Sequence, residues 1–135
     1  MSIYYIDTSA ALKLLVEESH SASFVGFYDS HRDEHWVSSA LLRVEVVRTV
    51  KRGAPELLAS AYDLLDAFGY LPIGDTIIDA AMAEGSPLPR SLDAIHLASA
   101  RRLGDGLTGL VTYDERLAAA AGSSGLTIVS PRDEG

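Results

Sequence analysis

An α/β fold built on a parallel sheet is predicted by three observations. Five short runs read as strands, helical patterns separate each consecutive pair, and the apolar residues are mostly Ala, Leu, Val and Ile, with only 7% aromatics. The 135 residues suit one ordinary domain, expected to span 1–135, and a hydrophobic content of 47% is enough for a real core.

The elements follow in order. The first strand is expected at 2–6, and an apolar helical pattern occupies 9–16. A second helix over 21–31 carries Phe24, Val25, Phe27 and Tyr28. The short strand at 35–38 holds the only tryptophan, Trp36. Residues 40–51 form a strongly apolar helical run, with Gly53 as its stop signal. Pro55 suits the first position of the next helix, 55–68. The third strand is expected at 70–73. A helix over 75–84 repeats Ile77, Ile78, Ala81 and Met82, and another over 91–103 begins after Pro89 and ends at Gly104. The fourth strand, 109–112, leads into a helix over 114–121 that stops at Gly122, and the last strand is 126–129. Three connections therefore hold two helices. One crossover helix already returns the chain to the start of the next parallel strand, so one member of each pair has to lie crosswise or act as an insertion.

Composition narrows the function classes. No apolar run approaches the roughly 18 residues that span a bilayer, and the N-terminus lacks the basic region and cleavage site of a signal peptide. There is no cysteine, so a disulfide framework, a thiolate metal site and a thiol nucleophile are excluded. A cytoplasmic protein without a membrane partner is expected. The formal charge is −8, from 19 acids and 11 bases, which argues against gripping nucleic acid through a bulk positive field. Bound cations reverse the local sign, so a metal-dependent nuclease is compatible with that charge.

Ligands of parallel α/β sheets bind beyond the carboxyl ends of the strands. Asp7 follows the first strand and Asp114 the fourth, while Glu45 and Asp93 lie in the opening turns of helices that leave the same edge. Four acids from four segments thus converge on one rim. Each has a structural alternative. Asp7 and Asp114 sit where helix N-caps sit, although Thr8 or Ser9 could cap in place of Asp7. Asp93 suits the positive end of its helix. Glu45 lies three and four residues after Leu42 and Leu41 on an apolar helix, where a carboxylate is costly unless paired or bound to metal. Arg43 or Arg48 could pair with it. His96, one turn after Asp93, reads as a partly buried structural histidine.

Four segments together resemble the PIN-domain nucleases, and most closely the VapC toxins of toxin–antitoxin pairs. They are Tyr4-Tyr5-Ile6-Asp7-Thr8-Ser9-Ala10, Ser38-Ser39-Ala40-Leu41-Leu42-Arg43-Val44-Glu45-Val46, Leu92-Asp93-Ala94-Ile95-His96-Leu97-Ala98-Ser99-Ala100 and Val111-Thr112-Tyr113-Asp114-Glu115-Arg116-Leu117. The resemblance implies a PIN-like fold, a five-stranded parallel sheet flanked by helices. It implies that Asp7, Glu45, Asp93 and Asp114 are the acidic catalytic and metal-binding residues, with Thr112 as an accessory hydroxyl. It also implies Mg²⁺ or Mn²⁺, endoribonuclease activity on RNA, homodimerisation and inhibition by a cognate VapB-type antitoxin. The donor chemistry agrees, since carboxylates without cysteine suit hard cations and suit zinc poorly. A receiver domain would need a lysine near the fifth strand, and the lysines are Lys13 and Lys51. A dehalogenase-like phosphatase would need an Asp where Ser9 stands. The closer alternatives are a PIN nuclease of RNA processing and a non-catalytic PIN module that binds protein.

Overall fold

A computed structural model describes residues 1–85 and 90–134. Its sheet contains β1 (Ile3–Ile6), β2 (His35–Ser39), β3 (Gly69–Leu71), β4 (Gly109–Val111) and β5 (Ile128–Val129). All pairings are parallel, in the order β3-β2-β1-β4-β5. Among the described residues the helices are α1 (Thr8–Lys13), α2 (Ser21–Ser30), α3 (Leu41–Gly53), α4 (Leu58–Leu65), α5 (Asp75–Met82), α6 (Ser91–Arg102) and α7 (Glu115–Ser123). None is long and apolar enough to cross a membrane.

Alternation along β1 divides the core between the two faces of the sheet. Tyr4 and Ile6 pack with Phe24, Trp36, Leu42, Val46 and Leu65, so α1 to α4 cover one face. Tyr5 points the other way, to Leu97, Leu110, Leu117 and Ala121, so α6 and α7 cover the opposite face. The chain winds outward from β1 to β3 on the first face, then returns to β4 on the second. The winding therefore reverses between β1 and β4, which puts the topological switch point at the carboxyl end of the two central strands.

The doubled helices resolve differently in each connection. α1 has six residues, only about 9 Å of helix, and serves as a short turn at the sheet rim. Both α3 and α4 bury residues in the core. α5 buries only Ile77 and packs on α6, making α5 the outlying member.

Local chemistry explains where the boundaries depart from expectation. Pro55 opens a 3-10 turn, Pro55–Leu57, and the α-helix starts only at Leu58. α3 ends at Gly53 as expected, whereas Gly122 lies inside α7 rather than stopping it. The chain reverses instead at Gly125, where φ is +88°, a conformation that glycine adopts without a Cβ penalty. Gly104, with φ +57°, does follow the end of α6 as expected. Pro89, the expected opening signal of that helix, lies outside the described residues. The strands at 2–6, 70–73, 109–112 and 126–129 are each shorter or shifted, to Ile3–Ile6, Gly69–Leu71, Gly109–Val111 and Ile128–Val129.

α3 shows what positions a site residue. Its β-branched residues Val44, Val46, Val47, Thr49 and Val50 oppose helix formation by roughly 0.5 kcal/mol each. Burial of Leu42, Val46 and Val50 on one stripe outweighs this, at roughly 1.5–3 kcal/mol per side chain. Glu45 is thereby held at the edge of that stripe, where it is partly buried.

Candidate active site

Asp7 continues directly from β1 and its backbone N–H bonds to the Val111 carbonyl at 3.2 Å, so it stands at the switch point. Its side chain is only 4% exposed. Oδ1 accepts the Ala10 N–H at 3.0 Å and the Ser9 hydroxyl at 2.7 Å, and Oδ2 accepts the Thr112 hydroxyl at 2.6 Å. Asp7 is thus itself the N-cap of α1, the first of the two readings its position allowed, and neither Thr8 nor Ser9 takes that role. Those two hydroxyls are used elsewhere. Ser9 also accepts the Tyr113 N–H at 2.8 Å, and Thr8 donates to Glu45 Oε1 at 2.7 Å. Burial pushes the Asp7 carboxyl above its ordinary value, opposed by the His96 ring and by the hydrogen bonds from Thr112, Ala10 and Ser9.

Thr112 is fully buried and links two acids. Its hydroxyl donates to Asp7 and accepts the Asp114 N–H at 3.0 Å. Asp114 caps α7, accepting the N–H groups of Arg116 and Leu117 on Oδ1 at 2.9 and 3.1 Å. Asp93, in the first turn of α6, is 7% exposed, and its Oδ2 is buried with no hydrogen-bond partner among the described residues. Its carboxyl is raised above the usual range, first by burial and then by the negative charge of Asp114. Arg90, His96 and Arg116 oppose that rise.

Glu45 pairs with neither Arg43 nor Arg48. Its Oε1 meets His96 Nε2 at 2.7 Å, and Arg43 lies over the Tyr70 ring instead. His96 is 3% exposed and its Nδ1 bonds the Tyr5 hydroxyl at 2.7 Å. The sequence places His96 one turn from Asp93 and gives it no partner among the acids. The signal was available in that spacing, since residues three apart share a helix face. For Tyr5 there was no such signal, because only the sheet and α6 together bring it to His96.

The four acids are thus linked by hydrogen bonds and by electrostatic influence. Asp7, Thr112 and Asp114 are joined by hydrogen bonds, Asp93 lies within the field of Asp114, and His96 influences both Asp7 and Asp93 while bonding Glu45. Among the described residues, no three His, Asp or Glu side chains close on a single point as a ready-made metal cage. Uncompensated carboxylates repel one another, which favours such a spread arrangement. The donor set still fits a hard divalent cation. The buried Asp93 Oδ2 has no hydrogen-bond partner among the described residues, the available donors are oxygens, and Mg²⁺ takes only a few carboxylates beside water. A cavity of about 550 Å³ lined by Thr76, Ile77 and Arg101 contains none of the four acids.

Comparison with known proteins adds three findings. Residues 4–123 match the family model described as PIN domain. The chain is 39% identical over 129 residues to ribonuclease VapC35 of Mycobacterium tuberculosis, an alignment covering 94% of this chain and 96% of that protein. It is likewise 39% identical over 130 residues to ribonuclease VapC47 of the same organism, covering 94% and 96%. Among solved structures, the VapBC2 crystal structure from Rickettsia felis, bound to a DNA fragment from their promoter, matches with a TM-score of 0.70. At 14% identity over 96% of this chain and 98% of the other, that likeness concerns the fold.

Proposed function

The chain belongs to the PIN domain family, and from that premise we propose that it is a VapC-type toxin, an endoribonuclease dependent on Mg²⁺ or Mn²⁺ that hydrolyses RNA phosphodiester bonds. The reaction class rests on the extended identity to ribonuclease VapC35. The site rests on one observation above the others, the buried and unpartnered Oδ2 of Asp93 next to a second carboxylate.

In this reading Asp93 and Asp7 hold the ion, joined by Asp114. Asp7 Oδ2 accepts only Thr112, and Asp114 uses Oδ1 for its cap, so each retains acceptor capacity. Thr112 orients both. Glu45 orients the attacking water or contributes to a second ion. When bound, the divalent ion supplies an activated water and stabilises charge on the scissile phosphate. The cognate partner is a VapB-type antitoxin, supported by the likeness to the VapBC2 structure. An Arg or Lys from that partner would complement the acidic rim and compete with the cation.

Cleavage of a mixed RNA pool tests the reading. Wild type is expected to cleave with Mg²⁺ or Mn²⁺ and not with EDTA, and Asp93→Asn to lose about 100-fold or more in rate. Equal cleavage by both proteins would remove the site assignment. The ion should also raise the melting temperature of wild type, and raise that of Asp7→Asn by less.

A further inference from the structure

We propose that His96 is a positioning residue that fixes Glu45 so that Oε2 is its only open ligand position, with Tyr5 selecting the imidazole tautomer that allows this. The inference rests on the four-carboxylate reading above and assigns a role to two groups that reading does not use.

With the imidazole neutral, one set of hydrogen-bond directions joins these groups. The Ser39 N–H donates to the Tyr5 oxygen at 3.2 Å. The Tyr5 hydroxyl hydrogen is then free to donate to His96 Nδ1, 2.7 Å away. An imidazole that accepts at Nδ1 carries its proton on Nε2. Nε2 faces Glu45 Oε1 at 2.7 Å, and an ionised carboxylate can only accept. One consistent chain thus runs from Ser39 through Tyr5 and His96 to Glu45. Tyr5 is fully buried and His96 nearly so, which keeps water from substituting at either link. The two rings also meet edge to face, at 5.8 Å between centroids and 80° between planes, which restrains imidazole rotation.

Glu45 receives a second donor on the same atom, since the Thr8 hydroxyl lies 2.7 Å from Oε1. Two donors fill the lone pairs of Oε1. Among the described residues Oε2 has no hydrogen-bond partner, and it is not one of the buried unpartnered atoms. The Glu45 side chain is 20% exposed, so that oxygen is the one presented to solvent at the rim. A glutamate free on a helix surface samples many rotamers. Here α1 and α6 hold it from two sides, and its carboxylate presents a single oxygen. Partners of this kind around metal-site ligands carry a measurable share of affinity and rate.

Three measurements on the full chain decide the matter. In metal-free wild type, ¹⁵N imidazole correlations at pH 8 should show His96 protonated at Nε2 and bare at Nδ1. The opposite tautomer would overturn the proposal. His96→Ala should weaken Mn²⁺ binding, measured by calorimetry without RNA, or lower kcat on a random single-stranded RNA pool, by about 10–100-fold. KM for that RNA should stay within about 2-fold, because His96 is buried away from the polymer. His96→Gln should recover most of the loss, since its amide N–H can replace Nε2–H. Equal impairment of Ala and Gln variants would reduce His96 to a packing residue and overturn the proposal. If His96→Ala does not fold, the tautomer and the Gln variant carry the test. Glu45→Gln separates the two readings. Wild-type kcat in Glu45→Gln would sink the four-carboxylate site and this inference with it. An impaired Glu45→Gln beside a fully active His96→Ala would sink this inference alone.

Discussion

Asp93 is buried beside a second carboxylate with one oxygen unpartnered, an arrangement unfavourable to folding whenever the group is ionised. Its carboxyl titrates above the ordinary 3.8, so the folded state binds the proton more tightly than the unfolded chain. The stability contributed by that proton is fully present below 3.8 and is lost as pH rises through the raised value. Without divalent ions, Asp93→Asn should therefore stabilise the protein at pH 7 by on the order of 1 kcal/mol, a few degrees in melting temperature. The gain should shrink as pH falls toward 4. Melts in EDTA at the two pH values check this, and an equal gain at both would show that ionisation is not its source. The same scale shows where local reading stops. Arg43 and Arg48 are near Glu45 in the chain, yet its partner is His96, 51 residues away. Sequence spacing reveals neighbours on one helix, whereas this pairing depends on α3 and α6 meeting at one sheet edge.

Elements were legible in kind and less so at their ends. All five strands and all seven helices occur where apolar periodicity places them, because burial of an alternating or helical stripe dominates the energetics. Ends depend on smaller terms. Gly122 is tolerated inside α7, and the stop falls to Gly125, whose left-handed backbone actually turns the chain. Asp7 and Asp114 do act as caps, so capping and the proposed catalysis use different acceptor positions of the same side chains. At the opposite edge of the sheet, Gly109 shows how closely β5 approaches β4. A Cβ at Gly109 would lie 2.6 Å from Val129 Cγ2. Gly109→Ala should accordingly cost about 1–3 kcal/mol. Adding Val129→Ala should return part of that loss, visible as a non-additive term in urea unfolding. Strict additivity would remove the steric account.

At the level of the whole molecule, charge and topology set what the site can bind and how. A net charge of −8 gives the protein no general attraction to a polyanion. RNA binding that depends on a bound cation rather than on a basic surface should show a shallow salt slope, equivalent to about one to three phosphate contacts. Measuring KM between 50 and 200 mM monovalent salt at fixed Mn²⁺ tests this, and a slope near that of a basic nucleic-acid-binding surface would contradict it. The strand order β3-β2-β1-β4-β5 supplies the rest, because its reversal between β1 and β4 brings Asp7 and Thr112 into contact although they are 105 residues apart. The amino-acid sequence by itself determined the α/β class, the parallel sheet and the common edge of the four acids, since each follows from periodicity and from where a residue lies relative to its own strand or helix. Only the tertiary structure decided that Asp7 caps α1, that Thr112 ties Asp7 to Asp114, and that Glu45 is held by Thr8 and His96. Those contacts join segments far apart in the chain, and hydrogen-bond partners are chosen by distances of a few ångströms that no local pattern encodes. The positions of the four acids and of Thr112 could be read from the chain, and the contacts that Thr8, His96 and Tyr5 make could not.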